Sequence, residues 1–448
     1  MKIHLIAIGG SIMHNLAIAL HKKGYEITGS DDVIYEPAYS RLDKNGLLPD
    51  KMGWDRSRIS GDLDLVILGM HAKPDNPELE EARLRNIKTV SFPEFIYEQS
   101  KDKQRVVIAG SHGKTTVTSM IMHVLAKAGL DFDYAVGSTI PGFEDSVKLS
   151  ENAPLIIIEG DEYLSSPIDR KPKFLWYKPQ IAVINGVAWD HINVFPTYDE
   201  YLKQFELLLQ SMENGAELVY PATDKDVKSL VDVHARHLRV EPANLPNYQI
   251  FNGQSIVSNG TEKIALSVFG KHNLQNLAVA QHICALLKIP REQFWNYVAD
   301  FKGAGKRMEA VPNRKGITVY RDFAHAPSKV KASTLAVREQ FTGKKLVAMV
   351  ELHTFSSLNS SFIYLYAGTL EPADVAIVYI DKQAVAAKGG SEYTHQQLCE
   401  AFSREDLIFV DSAEKLEKEL MNYISADNVL LLMSSGNFGG MDVKKLLS

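Results

Sequence analysis

Cysteine is scarce in this chain. Its 448 residues include only two, Cys284 and Cys399, which stand far apart in apolar surroundings. The composition argues against a disulfide-stabilised secreted domain and is typical of proteins that work in a reducing cytoplasm. We therefore expect two plain core thiols and a cytoplasmic location.

Long apolar runs are missing as well. No stretch approaches the roughly 20 apolar residues that a membrane-spanning helix needs. The N-terminus imitates a secretory signal, because Lys2 and an apolar stretch precede an A-x-A site at residues 17–19. However, His14 and Asn15 interrupt that stretch, and "KIHLIAIGG" is more typical of a strand that enters a glycine turn. We expect no membrane partner.

An excess of positive charge is absent too. The chain has 49 Lys and Arg residues against 55 Asp and Glu residues, which gives a formal net charge of -6. This balance argues against nonspecific binding to nucleic acid, although it is compatible with a local basic pocket for phosphates. The hydrophobic content of 45% and the charged content of 23% are those of an ordinary globular protein.

Apolar strands and amphipathic helices alternate along the chain, which predicts an α/β protein with mostly parallel sheets covered by helices. The charged stretch Tyr97 to Arg105 indicates a solvated linker into a second module, and the pattern restarts after residue 309. The length allows about three domains of ~150 residues. We predict domains at 1–101, 102–308 and 309–448.

The stretch "VVIAGSHGKTTVTSM", Val106 to Met120, is a candidate phosphate cradle. The usual pattern requires a glycine at the position of Ile108, and Gly110 comes two residues later. Nevertheless, a strand, a glycine turn and a helix start would aim backbone N–H groups and the positive helix end at one point. Lys114 could then reach terminal phosphates and Thr115 could ligate Mg²⁺. The alternative is an ordinary connection with a chance Gly-Lys-Thr.

A first glycine turn lies at residues 7–17. It lacks the complete G-x-G-x-x-G pattern, because Ala7 and Ile12 occupy two of the three glycine places. Asp31, at the end of the second predicted strand, could hold a ribose hydroxyl or a base edge. Without context, a turn chosen for tight packing explains this stretch equally well. An oxidoreductase that binds a dinucleotide here is a further hypothesis, weakened by the broken pattern.

Two later predicted strands end in polar residues, at the edge where ligands collect in open α/β sheets. The motif "EGDEY", Glu159 to Tyr163, follows one strand, and Asp190 with His191 follows the next. The segment Ser267 to Leu287, which contains "GKHNLQN", predicts a turn and a long helix.

Taken in order, "GSHGKTT", "EGDEY", "DH" and "GKHNLQN" resemble the Mur ligase family, ATP-dependent enzymes that add amino acids or peptides to UDP-N-acetylmuramate in bacterial cell-wall synthesis. The likeness covers nearly the whole chain and includes "GSD" at 29–31, "NPE" at 76–78 and "KRME" at 306–309. It implies a Rossmann-like N-terminal domain, a central P-loop ATPase domain with a mostly parallel sheet, and a Rossmann-like C-terminal domain.

Within the family, the stretches at 159–179 and 434–441 look most like the branch that attaches a salvaged tripeptide in peptidoglycan recycling. The resemblance implies that the lactyl carboxylate of UDP-N-acetylmuramate takes the γ-phosphoryl group of ATP. The amine of L-alanyl-γ-D-glutamyl-meso-diaminopimelate would then attack the acyl phosphate. Two alternatives stay open: a ligase for L-alanine, and a nucleotide switch that hydrolyses ATP without forming a bond.

The resemblance also implies site residues, with ATP as substrate and Mg²⁺ as cofactor. The expected catalytic residues are Lys114, His191 and Arg307. The expected ATP-binding residues are Gly110, Ser111, His112, Gly113, Lys114, Thr115, Thr116, Asn273, Asn276, Arg307 and Asp322. The UDP-sugar would be bound by Gly9, Gly10, Ser11, Asp31 and His71, and the metal by Thr115, Glu159 and His191.

Several positions depart from the family patterns. Ala188 stands where "N-x-x-E-x-D-H" has its glutamate, while Arg321 and Ala326 replace an acid and a histidine of "D-D-[YF]-x-H-H-P". The stretch "HTFSS" at 353–357 lacks both arginines of "H-R-Y-T-R", which the L-alanine enzymes carry. Glu206 occupies the place of a lysine that is carbamylated in some siblings, so we expect no such modification.

Three further expectations concern particular residues. A helix cap explains Asp190 about as well as a role in the site does, so we leave Asp190 out of the predicted site. Because the tripeptide carries carboxylates far from its amine, we expect cations of the third domain to hold them, with Arg321, Lys382 and Lys388 as candidates. His325 should lie near the same active-site face.

Overall fold

The computed structural model describes residues 1–260, 262–305, 307–312, 316–381, 385 and 392–447. It shows three α/β units in series, so the predicted fold class is confirmed. Cys284 is buried and Cys399 is partly buried. Within these ranges no helix combines the length and the apolar character that crossing a membrane requires.

The N-terminal unit is a parallel sheet in the order β2-β1-β3-β4. Its strands are β1 (Lys2–Ile6), β2 (Glu26–Ser30), β3 (Leu65–Leu68) and β4 (Thr89–Ser91), and its helices are α1 (Ser11–Lys22), α2 (Ala38–Lys44), α3 (Pro77–Leu84) and α4 (Phe92–Gln99). The strand order reverses between β1 and β3, so a ligand crevice is expected at their carboxyl ends.

The central unit has a sheet in the order β11-β10-β9-β5-β8-β6-β7, parallel except for the β6–β7 pair. Its strands are β5 (Gln104–Ala109), β6 (Asp133–Ala135), β7 (Val147–Lys148), β8 (Leu155–Gly160), β9 (Ile181–Ile184), β10 (Glu217–Pro221) and β11 (Arg239–Ala243). Its helices are α5 (Lys114–Lys127), α6 (Phe174–Tyr177), α7 (Tyr198–Ser211), α8 (Lys225–His234), α9 (Lys271–Leu286) and α10 (Arg291–Val298). Because β5 lies between β8 and β9, the motifs that follow these three strands meet at one edge.

A small antiparallel sheet interrupts this unit and was not predicted. It consists of β12 (Tyr248–Phe251), β13 (Gln254–Asn259) and β14 (Glu262–Leu266). Asn252 and Gly253 join the first two strands with φ of 50° and 72°. An Asn-Gly pair with positive φ is the usual two-residue hairpin turn, so the sequence did carry a signal for it.

The C-terminal unit has the sheet order β15-β16-β20-β17-β18-β19, with only the β15–β16 pair antiparallel among the described strands. The strands are β15 (Glu309–Ala310), β16 (Thr318–Asp322), β17 (Lys345–Glu351), β18 (Val375–Tyr379), β19 (Ile408–Val410) and β20 (Asn428–Met433). The helices are α11 (Pro327–Gln340), α12 (His395–Phe402), α13 (Ala413–Met421) and α14 (Val443–Leu446). The predicted domain boundaries at 101/102 and 308/309 stay predictions.

Helix α11 lies against the central unit. Gly270 has φ of 88°, and a Cβ there would come within 2.5 Å of the Ala336 side chain, so only glycine allows this approach. Farther along α11, Glu339 accepts a hydrogen bond from the Tyr248 hydroxyl at 2.7 Å. Gln340 donates to the carbonyl of Gly253 at 2.5 Å. The small antiparallel sheet therefore contacts the C-terminal unit directly.

The prediction of a solvated linker from Tyr97 to Arg105 is wrong for Lys103 and Arg105, although Lys101, Asp102 and Gln104 are exposed. Lys103 is buried, and its Nζ lies 2.6 Å from a carboxylate oxygen of buried Asp133. Arg105 is buried as well and donates to the carbonyls of Tyr177 and Ser100, each at 2.8 Å. A charge pattern shows which residues are charged, but it does not show whether a charged side chain is buried beside a partner.

Candidate active site

The phosphate-loop candidate is a strand, a turn and a helix start, as predicted. Strand β5 ends at Ala109 and α5 begins at Lys114. Gly110 and Gly113 have φ of 128° and 72°, which side chains disfavour. A Cβ on Gly113 would also lie 2.1 Å from the amide nitrogen of Asn185. The displaced glycine of the motif is thus compatible with a tight loop.

Lys114 is held inside this loop. Its Nζ lies 2.7 Å from the carbonyl oxygen of Gly110 and 2.9 Å from Oε2 of Glu162. Burial lowers the pKa of Lys114, but Glu162 and Asp161 outweigh burial and keep that pKa above its ordinary value. The lysine therefore remains a cation at the helix start.

Glu162 is the carboxylate that the sequence analysis missed. It is fully buried, and its Oε1 lies 3.1 Å from the Tyr201 hydroxyl and 3.4 Å from Nε2 of His191. Burial opposes ionisation, but Lys114 and His191 hold the pKa of Glu162 well below its usual range. Glu162 thus supplies the acid beside His191 that the departure at Ala188 had removed. Glu162 lies inside "EGDEY", of which the predicted site contains only Glu159.

His191 has φ of 59° and lies at the carboxyl end of β9. Its Nδ1 is 2.6 Å from the Tyr163 hydroxyl, and its Nε2 faces Glu162. Both ring nitrogens therefore face protein groups. The described residues contain no group of three or more His, Cys, Asp or Glu arranged to hold a metal ion. The metal role of His191 stays a prediction, since binding would replace one of these contacts.

Glu159 offers a better fit to a cation. Its Oε2 accepts a hydrogen bond from the Gly137 N–H at 2.7 Å, while its buried Oε1 has no partner among the described residues. Burial and Asp161 raise the pKa of Glu159, against the Gly137 N–H and the Thr115 hydroxyl. A buried carboxylate oxygen without a partner is costly, and an oxygen-seeking cation such as Mg²⁺ would satisfy it. Glu159 and Thr115 thus fit a metal site.

A cleft of about 700 Å³ opens between the central and C-terminal units. It brings together seven of the residues predicted to bind ATP: His112, Gly113, Thr116, Asn273, Asn276, Arg307 and Asp322. The phosphate loop borders this cleft, so the predicted ATP residues converge on one place.

Asn185 also lines the cleft and was missed by the sequence analysis. Its amide nitrogen donates to the carbonyl of His112 and to Oδ1 of Asn276, each at 2.9 Å. Asn185 therefore ties the phosphate loop to helix α9. The one available signal was its place at the end of β9, in "INGV".

On the C-terminal side of the cleft, Asp322 and Arg307 are held in place. Oδ1 of Asp322 accepts from the backbone N–H groups of Met308 and Phe323, at 3.0 Å and 2.9 Å, and Oδ2 accepts from Ser333. The Arg307 guanidinium lies 4.4 Å from the centroid of the Phe323 ring. A ribose hydroxyl would share Asp322 with these donors.

Three imidazoles of this region are neutral at physiological pH. Burial lowers the pKa of His112 to about 4 and that of His325 to about 3. Burial also lowers the pKa of His272. Nδ1 of His112 lies 2.8 Å from the Ser111 hydroxyl, which accepts from the N–H of Ala188 at 3.0 Å. Burial thus favours the neutral form of all three rings.

The N-terminal glycine turn surrounds Asp31. Its Oδ2 accepts from the Gly9 N–H at 2.7 Å, and burial raises the pKa of Asp31 to about 6. Gly10 is the N-cap of α1, and the Ser11 hydroxyl reaches the carbonyl of Gly137 in the central unit at 3.4 Å. His71 is exposed in the loop after β3. The predicted UDP-sugar residues therefore stand at the carboxyl ends of β1, β2 and β3.

The interpretation of Asp190 as a helix cap is wrong. The residues after it form a turn, in which Oδ1 of Asp190 accepts from the N–H of His191 at 2.8 Å. Oδ2 pairs with Nζ of Lys329 on α11 at 3.0 Å. Burial opposes ionisation, but Lys329 and His191 hold the pKa of Asp190 well below its usual range.

Of the candidate peptide residues, Arg321 lies within the described residues, near the carboxyl end of β16. The Arg321 guanidinium lies 5.6 Å from the ring centroid of Phe438. Glu351 holds the loop after β20, because its Oε2 accepts from Ser434 and from the N–H of Phe438. Lys382 and Lys388 lie outside the described residues.

The structure also shows the surroundings of the other positions that depart from the family patterns. The loop at 353–357 is closed by two hydrogen bonds between Thr354 and Ser357, of 2.9 Å and 3.2 Å. Ala326 is buried as the N-cap of α11. Glu206 contacts Lys203 at 2.7 Å on the surface of α7, and the expectation that this site is unmodified stays a prediction.

Three family models match the chain in succession. The Mur ligase family catalytic domain matches residues 2–104, the Mur ligase middle domain 108–284, and the Mur ligase glutamate ligase domain 306–436.

Similar proteins include both kinds of enzyme that the sequence left open. The UDP-N-acetylmuramate–L-alanine ligase of Sulfurihydrogenibium sp. strain YO3AOP1 is 30% identical over 97% of this chain and 95% of that relative. The UDP-N-acetylmuramate–L-alanyl-γ-D-glutamyl-meso-2,6-diaminoheptandioate ligase of Escherichia coli strain K12 is 28% identical over 78% of this chain and 79% of that one.

Solved structures show the same fold. The UDP-N-acetylmuramate–alanine ligase of Thermotoga maritima superposes with a TM-score of 0.71 at 22% identity, over 98% of this chain and 96% of that one. A murein peptide ligase of Psychrobacter arcticus gives a TM-score of 0.66 at 21% identity, over 98% and 97%. The oxidoreductase and the non-ligating switch lose their support, because the chain belongs to the Mur ligase family, whose members are ATP-dependent ligases that form ADP and phosphate.

Proposed function

We propose that this protein joins UDP-N-acetylmuramate to L-alanyl-γ-D-glutamyl-meso-diaminopimelate, in peptidoglycan recycling in the cytoplasm. The observation that carries the choice of amine is the lack of Lys and Arg within the loop that follows β17. The sequence contains no Lys or Arg between Lys345 and Lys382, and the loop at 353–357 is closed by its own hydroxyl groups. A site for a single amino acid would keep a cation beside its carboxylate.

The first step would form an acyl phosphate. The lactyl carboxylate attacks the γ-phosphorus of ATP, the bond to the β-γ bridging oxygen breaks, and ADP leaves. Because two anions must approach each other, positive charge has to be fixed at the site beforehand. Lys114 supplies such a charge at the helix start, and Arg307 supplies another from the far side of the cleft. Mg²⁺ bound by Thr115 and Glu159 would neutralise further phosphate charge.

The second step would form the amide. The peptide amine attacks the acyl carbon, phosphate leaves, and the amine loses a proton. Asn273 and Asn276 would hold the adenine end of the nucleotide, and Asp322 would meet the ribose. These contacts position the phosphates without taking part in bond making.

A second candidate function is ligation of L-alanine. It is favoured by the similarity to the Sulfurihydrogenibium enzyme, which extends over 97% of this chain. Mass spectrometry of the product formed from UDP-N-acetylmuramate, ATP and an equimolar mixture of L-alanine and tripeptide separates the two. We expect the tripeptide adduct to dominate, and a predominant L-alanine adduct would favour the second candidate.

Glu159→Gln should raise the Mg²⁺ concentration needed for half-maximal ADP formation by about 10- to 100-fold. The amide keeps the size of the side chain but loses the charge that attracts the cation. Glu151→Gln is the matched control, because Glu151 is exposed near the start of β8. Overlapping Mg²⁺ titrations for Glu159→Gln and the parent would remove Glu159 from the metal site.

Asp31→Asn should raise KM for UDP-N-acetylmuramate about tenfold, since hydrogen bonds to a charged group contribute about 1.5–3 kcal/mol. The pKa of Asp31 is raised to about 6, so its carboxylate is complete above that pH and is lost as pH falls through it. The parent's KM should therefore rise below about pH 6, whereas the KM of Asp31→Asn should not change there. Asp43→Asn, at an exposed position of α2, is the control. A parent KM that is flat across this range would contradict the assignment.

A further inference from the structure

An ion pair joins the C-terminal unit to the catalytic edge of the central unit. Nζ of Lys329 lies 3.0 Å from Oδ2 of Asp190, and the two side chains are 18% and 6% exposed. The other oxygen of Asp190 lies 3.6 Å from Nδ1 of His191. The pair is therefore shielded from solvent and touches a residue predicted to be catalytic.

The contacts continue from His191 to the phosphate loop. Nε2 of His191 lies 3.4 Å from Oε1 of Glu162, and Oε2 of Glu162 lies 2.9 Å from Nζ of Lys114. Lys329, Asp190, the His191 ring, Glu162 and Lys114 thus form one continuous series of contacts, which we call the interdomain ion chain. It runs from α11 to the start of α5.

Apolar contacts hold the same loop against the C-terminal unit. The rings of Trp189 and Phe362 lie 6.2 Å apart in an edge-to-face arrangement. Ile192 packs against the buried apolar cluster of the C-terminal unit. Asp190 and His191 therefore stand on a loop that contacts both units.

We propose that Asp190 and Lys329 are positioning residues, whose pairing aligns His191, Glu162 and Lys114 only when the C-terminal unit lies against the central one. This inference rests on the ATP site proposed above but not on the identity of the amine. A buried carboxylate requires a cation close by. If Lys329 moved away with its unit, Asp190 would keep its contact with the His191 ring, which also contacts Glu162. Glu162 would then hold Lys114 in a different position.

Lys329 also lines the cleft, so a direct contact with a phosphate is the competing explanation. The two explanations differ in what they require of Asp190. A direct phosphate contact needs Lys329 alone, whereas a positioning pair needs both residues. A double-mutant cycle therefore separates them.

Lys329→Ala and Asp190→Asn should each lower kcat for ADP formation by about 10- to 100-fold, with KM for ATP within about threefold of the parent. The double variant Asp190→Asn/Lys329→Ala should be no slower than either single variant. Lys329→Arg should recover most of the rate. Lys331→Ala, at an exposed position of α11, is the matched control and should leave kcat unchanged.

Additive losses, or a normal rate for Asp190→Asn, would overturn the inference and favour the phosphate contact. Each variant is first compared with the parent by thermal unfolding, and Asp190→Asn, which keeps the shape of the side chain, decides the matter if Lys329→Ala unfolds. The rates are measured with whichever amine the parent accepts. A parent that forms ADP with no amine would count against the proposed function, whereas an active parent with unaffected variants would count against the ion pair alone.

Discussion

Lys114→Ala should lower the rate of ATP-dependent ligation by at least about 10²- to 10³-fold, the usual cost of removing one preorganised group that stabilises transition-state charge. The reacting γ-phosphoryl group and the lactyl carboxylate are both anionic, and Lys114 is the cation fixed at the turn where the phosphates would lie. Its ammonium is already oriented by Gly110 and Glu162, so no reorganisation is needed during the reaction. The effect is measured as the rate of phosphate release at saturating concentrations of the substrates.

The control has to separate catalysis from folding, because Lys114 is only 16% exposed and its removal leaves Glu162 buried without a cation. Breaking such a pair on one side costs about 3–5 kcal/mol of stability. The variant Lys114→Met/Glu162→Gln removes both charges and should fold while remaining inactive. Lys127→Ala, near the end of the same helix, should keep parental activity. A folded Lys114→Ala protein with the parental rate would refute the phosphate-loop assignment.

The tripeptide should be used with a kcat/KM at least about 100-fold higher than that of free L-alanine, with the dipeptide L-Ala-γ-D-Glu in between. Binding energy from the distant carboxylates positions the reacting amine, so a substrate that lacks them loses transition-state stabilisation. Near the site, the loop at 353–357 presents no arginine to the short substrate, and Phe355 exposes 59% of its surface there. Steady-state kinetics with the three amines test this order.

Arg321→Ala should reduce the difference in kcat/KM between the tripeptide and L-alanine. Because Arg321 is the candidate partner of a distant carboxylate, its loss should lower kcat/KM for the tripeptide about tenfold or more and leave L-alanine unaffected. Lys415→Ala, at an exposed position of the same domain, is the control and should change neither value. Comparable kcat/KM for tripeptide and L-alanine in the parent would reject the recycling assignment and favour the L-alanine ligase.

The sheets and their motifs could be predicted because their signals are local. The apolar run at 106–108 and the helical spacing after Lys114 lie within one short stretch, and the structure places β5 and α5 there. The signals for β8, β9 and α9 are local as well. Parallel pairing with β5 then brings the polar ends of β8 and β9 to one edge of the sheet. The Asn252-Gly253 pair is an equally local signal, for the hairpin between β12 and β13.

The contacts within the site could not be predicted, because they join residues distant in sequence. Asp190 and Lys329 are 139 positions apart, so no local pattern could replace the helix-cap interpretation with the ion pair. Glu162 was hidden for another reason: three acids stand together in "EGDEY", and only the strand geometry decides which one faces Lys114. Asn185 acts through the backbone of His112, which sequence patterns do not display.

The partly buried segment between the first two domains makes contacts that cross the predicted domain boundary. Arg105, in the first strand of the central domain, donates to the carbonyls of Ser100 and Lys101, which belong to the N-terminal side of the predicted boundary. A central domain cut free at residue 102 would lose both acceptors, and Nη1 of this buried guanidinium would keep the carbonyl of Lys103, at 3.2 Å. The two domains are thus separate in architecture, but a buried arginine of the central sheet takes two of its hydrogen-bond acceptors from the end of the preceding domain.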